Sequence, residues 1–362
     1  MKLLLFSIFP MLCCLSLQAG DSLRYKIAQM LIVGFRGAEL TGDSHIYSDV
    51  KSLHVGGVIL FDYDAVSKTR GRNITSPAQL KKLCGDLQRL ADEKLIISID
   101  QEGGMVSRLK TSAGFPPTVS AKYLGALDNA DTTRRYAAQT ARLLRELGVN
   151  FNFAPCVDVD VNPQCPIVGK VQRSFSAKPD IVAKHARIWV EEHRRCGVIT
   201  SPKHFPGHGS SAADSHLGIA DVTATWTAQE LIPYRQLVKS GHCDAIMVSH
   251  VFNKKLDGRY PATLSPKIAG MIRNDLGFGG VVVSDDMAMG AIVDTYSFEV
   301  ALEKAVNAGM DMLVLSNNGK SYEPQIASKA VAAIYALVQK GRISEARINE
   351  AYSRIVAIKS RL

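Results

Sequence analysis

Eight short apolar runs rich in β-branched residues recur along the chain: Met30 to Phe35, Val55 to Asp62, Leu95 to Asp100, Val149 to Val157, Val198 to His204, Ala245 to His250, Gly280 to Asp285 and Met312 to Ser316. They are nearly continuously apolar rather than alternating, which is the pattern of parallel strands covered on both faces. Between them the period changes to that of helices. Asp131 to Leu147 repeats apolar positions at Tyr136, Leu143, Leu144 and Leu147 and stops at Gly148, and Asp180 to Cys196 stops in the same way at Gly197. Ser265 and Pro266 form a capped start for a helix that runs to Leu276, and Ser344 opens a last helix with Ile348, Ala351, Ile355 and Val356 on one face.

Strands alternating with helices predict an α/β protein, a single (β/α)8 TIM-type barrel over residues 20–362 with its active site at the carboxyl ends of the strands. The alternative, a doubly wound open sheet, is weakened by the strand count and by the lack of a glycine-rich dinucleotide loop. The composition, 46% hydrophobic and 21% charged, is that of a globular chain and excludes a disordered, collagen-like or coiled-coil protein.

The amino terminus reads differently. Residues 1–19 carry one charge, Lys2, then an apolar stretch from Leu3 to Leu17 and a Leu17-Gln18-Ala19 end, which is a signal-peptide pattern too short to span a bilayer. Export to the periplasm or the medium is therefore expected, without stable membrane insertion after cleavage; a retained anchor is the alternative. The formal net charge of +9, or +8 without Lys2, suits an anionic partner. The basic residues are scattered, with no run of five and no zinc-finger spacing, so no nucleic-acid partner is expected. Cys84, Cys156, Cys165, Cys196 and Cys243 would survive processing, an odd number with no C-x-x-C pair, read as free thiols rather than disulfides.

Polar residues crowd the strand ends. Asp100-Gln101-Glu102-Gly103-Gly104 follows the third run, Asp158 and Asp160 the fourth, Lys203-His204-Phe205-Pro206-Gly207-His208-Gly209 the fifth, Ser249-His250 the sixth and Ser284-Asp285-Asp286 the seventh, with Asp214-Ser215-His216 shortly after the fifth. Asp158, Asp160 and Asp286 are read equally well as caps of the following helices. Capping does not account for the density of Lys and His from 203 to 216. Pro206 and Gly207 argue against a helical two-histidine zinc site, and the glycines suit a loop that carries Asp214 and His216 over the barrel mouth. Two residues apart, Asp214 and His216 can pair as carboxylate and imidazole, while Asp285 is a candidate carboxylate nucleophile. Together they supply the nucleophile and the acid/base that a retaining glycosidase requires.

The run from Lys203 to Gly209, followed after four residues by Asp214-Ser215-His216, resembles the signature of the NagZ-type β-N-acetylglucosaminidases of glycoside hydrolase family 3. The resemblance extends through the Asp100 segment, Asn152-Phe153-Ala154-Pro155, Gly169 to Phe175, Met247 to His250 and Ser284 to Met287. It implies Asp285 as nucleophile, His216 as general acid/base and Asp214 as its dyad partner, with Asp100, Arg108, Arg173, Lys203 and His204 binding the sugar. It also implies that no cofactor or metal takes part. His208 is read as a holder of the loop, and Asp286 as pointing away from the sugar because alternate strand residues face opposite sides.

On this resemblance the chain is expected to be an exo-acting retaining enzyme removing non-reducing-end N-acetylglucosamine from a peptidoglycan fragment or a chito-oligosaccharide. A neutral imidazole in place of the usual second carboxylate does not repel anionic acceptors, so phosphorolysis or transglycosylation on the same residues is one alternative. A non-catalytic glycan-binding barrel is the other. Oligomeric state is not legible.

Overall fold

The computed structural model describes residues 22–362, so the expected signal segment, residues 1–19, lies outside the described residues. After a short helix at 22–29, eight parallel strands follow in chain order: β1 (Leu31–Gly34), β2 (Gly57–Leu60), β3 (Ile96–Ile99), β4 (Phe151–Asn152), β5 (Ile199–Thr200), β6 (Ala245–Val248), β7 (Val281–Asp286) and β8 (Met312–Leu315). Each falls inside one of the eight apolar runs except β7, which extends one residue beyond its run to Asp286. Their spatial order is β5-β4-β3-β2-β1-β8-β7-β6, every pair parallel, as in a ring opened at one seam.

Backbone bonds outside the regular ladder close that seam between β5 and β6. Met247 donates to the Pro202 carbonyl at 3.1 Å, and Phe205 to the Met247 carbonyl at 2.9 Å. Ser249 donates in turn to the Phe205 carbonyl at 2.9 Å. The architecture is the (β/α)8 barrel.

Two strands are shorter than the apolar runs predict. The fourth run was expected to extend to Val157, yet β4 ends at Asn152, because Pro155 has no N–H for a ladder. Pairing resumes at Cys156 opposite Lys203, where Val157 donates to the Lys203 carbonyl at 2.7 Å. Asn152 bridges the break with its side chain, accepting from Gln101 N at 3.0 Å and donating to Gln101 O at 3.0 Å. Both irregular stretches lie at the carboxyl ends of the strands, where residues 153–158 and 201–209 are freed to enter the site.

The helices sit where their periodicity places them: Ala130–Leu147 ends at Gly148 with φ of +86°, Pro179–Arg195 precedes Gly197, and Glu345–Lys359 buries Ile348, Ala351 and Ile355. Val356, expected on that same face, is exposed. The helix from Pro266 stops at Asn274, two residues short of Leu276. The main core is a continuous cluster between sheet and helices, with a small second cluster of Cys165, Ile167 and Val168. At the amino ends of the strands, buried Asp244 pairs with Arg194 and Arg361, and buried Asp311 with Arg273, Arg347 and Arg354. These contacts fasten the barrel's floor to its outer helices, far from the loops that carry chemistry. All five cysteines among the described residues are free, as expected, with Cys84, Cys156 and Cys165 buried.

Candidate active site

The carboxyl ends of the strands surround a cavity of about 500 Å³. All eight residues singled out in the sequence line it: Asp100, Arg108, Arg173, Lys203, His204, Asp214, His216 and Asp285. They come from β7 and the segments following β3, β4 and β5, so residues up to 185 positions apart, from Asp100 to Asp285, share one wall system.

One side of the cavity is a chain of alternating charges. Lys203 Nζ donates to Asp100 Oδ1 at 2.6 Å and lies 2.8 Å from Glu102 Oε1. Glu102 receives Arg173 in a fork, Nε at 2.8 Å and Nη2 at 2.7 Å, and Arg173 Nη2 also reaches His204 Nε2 at 3.0 Å. A guanidinium can only donate, so His204 Nε2 is an acceptor and the ring's proton sits on Nδ1. That proton goes to Asp158 Oδ2 at 2.6 Å. In its neutral form His204 is thereby held as the Nδ1-protonated tautomer. Arg108 adds a longer contact to Asp100 at 3.3 Å.

Burial pushes the Asp100 and Glu102 carboxyls upward, but neighbouring cations outweigh it: Lys203 and Arg108 for Asp100, Arg173 and Lys203 for Glu102, and both stay below the usual carboxylate range. Burial alone would lower the Lys203 ammonium, and the two carboxylates reverse that and raise it. These side chains are held charged and rigid, with donors and acceptors turned toward the cavity, which is the arrangement that recognises hydroxyl groups.

Asp285 ends β7. Its Oδ1 accepts from the Asp286 amide at 2.8 Å. Burial raises its pKa, but the His250, His204 and His216 imidazoles together bring it down to about 2, so the group is a carboxylate at neutral pH. Asp286 also borders the cavity, yet its carboxylate is occupied by the Ser316 hydroxyl, the Ser316 amide at 3.0 Å and the Ala288 amide at 3.1 Å. Its burial leaves its pKa raised.

The acid/base candidate rides on the long segment after β5. His216 Nδ1 pairs with Asp214 Oδ1 at 2.7 Å, and the same oxygen accepts from the His216 amide at 2.8 Å. His216 Nε2 has no protein partner among the described residues and is free to exchange a proton. The side chain is 60% exposed, in contrast to the buried Lys203 and His204. His208 lies beneath the segment, as the loop-holding reading expects: its Nε2 meets Ser215 Oγ at 3.0 Å and its amide donates to Asp158 Oδ1 at 2.8 Å. Burial lowers its pKa to about 4. Glu230, another buried group, accepts from the Gly209 amide at 3.0 Å, and its pKa is pushed by burial to about 7.

Three contributors were not assigned roles from the sequence. Glu102 joins Lys203 to Arg173, and a period-two reading outward from Asp100 would have found it. Asp158, read as a possible helix cap, caps nothing; it orients His204 and anchors His208. His250 braces β7, its Nδ1 on Thr263 Oγ1 at 2.8 Å and its Nε2 on the Asp286 carbonyl at 2.9 Å. Cys156, Asp158 and His204 come close enough together to suggest a metal centre. The donor set does not suit one, because both nitrogens of His204 are already engaged, one of them by the Arg173 cation.

Residues 22–358 match the glycosyl hydrolase family 3 N-terminal domain. The chain belongs to glycosyl hydrolase family 3. Among curated family members, the chain is 32% identical over 292 residues to the beta-hexosaminidase of Tolumonas auensis, covering 80% of this chain and 83% of that one. It is 30% identical over 357 residues to beta-hexosaminidase A of Pseudoalteromonas piscicida, covering 90% of this chain but 57% of the relative. Among solved structures, the family 3 β-N-acetylglucosaminidase of a Paenibacillus strain superposes with a TM-score of 0.84 at 35% identity, over 93% of this chain and 62% of that one. The β-N-acetylhexosaminidase of Beutenbergia cavernae gives 0.82 at 27% identity, over 93% and 98%. The family 3 barrel thus spans some relatives almost completely and others little more than halfway.

Proposed function

We propose that the protein is a retaining exo-β-N-acetylglucosaminidase, a glycosidase of the β-N-acetylhexosaminidase type, whose catalytic unit is the barrel domain over residues 20–362. The observation that carries this reading is that an ionised Asp285 and the Asp214–His216 pair, with its Nε2 unpartnered, open onto one cavity. The names of the relatives support it.

In the first step Asp285 attacks the anomeric carbon while protonated His216 delivers its Nε2 proton to the leaving oxygen, giving a glycosyl ester on Asp285. In the second, neutral His216 takes a proton from water, which attacks the same carbon and releases the sugar with retained configuration. Asp214 holds the ring by Nδ1 and offsets the charge it carries when protonated. Asp100, Arg108, Arg173, Lys203 and His204 hold the sugar against the wall. No cofactor is required.

The substrate class we infer is a glycan ending in N-acetylglucosamine, with peptidoglycan fragments as the finer reading on account of the positive net charge. No helix among the described residues is long and apolar enough to cross a membrane. The pattern of residues 1–19 supports export, where such glycans are met.

The test is chromophore release by the purified protein from an aryl β-N-acetylglucosaminide beside an aryl β-glucoside, with and without phosphate. Release from the first, with free sugar as product in both buffers, is expected. Release from the glucoside alone would reassign the sugar, a phosphate-dependent sugar phosphate would make the enzyme a phosphorylase, and no turnover would favour a glycan-binding role.

A further inference from the structure

His216 and Asp285 have to act on the two atoms of one glycosidic bond, yet they sit on different elements. The segment that carries His216 leaves β5 and crosses the mouth of the barrel toward β7. Its base is tied by Asn162, whose amide donates to the Gly209 carbonyl at 3.0 Å and whose Nδ2 donates to the Ser211 carbonyl at 2.9 Å. Its far end lies on the turn that follows β7. There Gly290 N donates to the His216 carbonyl at 3.2 Å and Ala291 N to the Ser215 carbonyl at 3.2 Å. Ser215 is fully buried and held from below by His208, whereas His216 and Leu217 beside it are exposed, Leu217 to 81%. The place of His216 therefore rests on these backbone contacts and on the Ser215–His208 bond rather than on packing of its own side chain.

The fit at Gly290 is tight. A Cβ built on this residue would stand 2.7 Å from the His216 carbonyl oxygen and 3.1 Å from the Leu217 carbonyl carbon, both main-chain atoms that cannot rotate away. Any side chain at 290 would have to push the His216 segment off the turn. We propose that Gly290 and Ala291 are positioning residues for the reaction: their amides, with no Cβ at 290 to intervene, hold the acid/base His216 over the nucleophile strand. This rests on the roles given above to His216 and Asp285. The turn belongs to the same stretch of chain as the nucleophile, so the docking sets the separation of the two catalytic groups directly. A displacement of about 1 Å at such a site lowers the rate on the order of 10²-fold.

The experiment compares the full-length wild type with Gly290→Ala by amide hydrogen exchange and by kinetics on two substrates. One substrate is a dinitrophenyl β-N-acetylglucosaminide, whose leaving group needs no proton; the other is an N-acetylglucosamine disaccharide, whose leaving group does. In Gly290→Ala, exchange across residues 211–219 is expected to rise while that of the barrel strands is unchanged. The kcat/KM on the disaccharide is expected to fall on the order of 10²-fold, and that on the dinitrophenyl substrate to stay within about threefold. Because His216 also takes the proton of water in the second step, kcat on the dinitrophenyl substrate is expected to fall even though kcat/KM does not, and azide, a nucleophile that needs no base, is expected to restore it.

Unchanged exchange over 211–219 overturns the docking, whatever the activity. Equal loss on both substrates overturns the positioning role, since a general structural defect has that signature. If the wild type turns over neither substrate, the proposed function falls, and the exchange data still decide whether the turn holds the segment. Ser215→Ala, which removes the His208 anchor without adding bulk, is expected to give the same split to a smaller degree. It decides the matter should Gly290→Ala fail to fold.

Discussion

His204 gives its Nδ1 proton to Asp158 at 2.6 Å while its Nε2 accepts from Arg173, so a buried carboxylate that never reaches the cavity surface sets the tautomer of a residue that does. Replacing Asp158 by Asn leaves one oxygen and turns an NH2 group toward either the His204 and His208 amides or the His204 ring, all of which now donate. Losing one charged hydrogen bond of about 1.5–3 kcal/mol predicts a fall in kcat/KM of roughly 10- to 100-fold with the fold intact. Steady-state kinetics on an aryl N-acetylglucosaminide check this. Wild-type values would show that the Asp158 carboxylate does not organise the site.

Asp285→Ala removes the nucleophile but none of the Lys203, Arg173 and Asp100 contacts. Turnover is expected to fall on the order of 10⁴-fold or more, while N-acetylglucosamine binding, measured by calorimetry, is retained. Because the carboxyl is held at about 2, its titration is not expected to shape the rate between weakly acid and neutral pH. Near-normal turnover in the variant would remove Asp285 from the mechanism.

For His216→Ala the loss is expected to depend on the leaving group, on the order of 10²- to 10⁴-fold for a sugar and much less for a dinitrophenolate, which departs without a proton. A Brønsted series of aryl substrates measures the dependence directly. The same slope in variant and wild type would contradict the acid role.

Glu230 predicts a pH dependence of stability. Its pKa is raised from the ordinary carboxyl value to about 7 in the folded state, because burial disfavours the charged form. Between those two values the folded protein binds more protons than the unfolded one, so stability is full below the unfolded pKa and declines as pH rises through the folded pKa. Glu230→Gln keeps an acceptor for the Gly209 amide and cannot ionise. The difference in melting temperature between variant and wild type is expected to move in favour of the variant from pH 5 to about 7 and to level off above; parallel curves would mean that Glu230 does not titrate in this range.

Much of the fold was legible because its signals are local. Each strand announces itself by an apolar run, and the helices ending at Leu147, Arg195, Asn274 and Lys359 by their apolar spacing or their capping residues, with Pro, Ser and Gly at element ends where the backbone needs them. The same locality explains the misreadings. Val149 to Val157 looks like one long strand, but Pro155 interrupts the ladder, and whether pairing resumes depends on Lys203 from the next strand. Leu276 continues an apolar repeat that the helix had already left at Asn274.

The site divides along the same line. Asp285, Asp214 and His216 could be named from residue type and spacing, because their chemistry belongs to the side chain and Asp214 and His216 pair two residues apart, whereas Lys203 and His204 drew notice by the density of their segment and took their roles from the family resemblance. Glu102 and Asp158 could not be ranked above Asp160 or Asp286, since what distinguishes them is a partner 71 residues away for Glu102, Arg173, and one 46 residues away for Asp158, His204. The seat of His216 on Gly290 is the extreme case: two amides and a missing Cβ carry no signature of their own, and they acquire a function when the barrel closes and brings β5 and β7 to the same mouth. Periodicity and residue chemistry are written along the chain, whereas tautomers, charge pairs and the spacing of catalytic groups arise from contacts between segments that the chain keeps far apart.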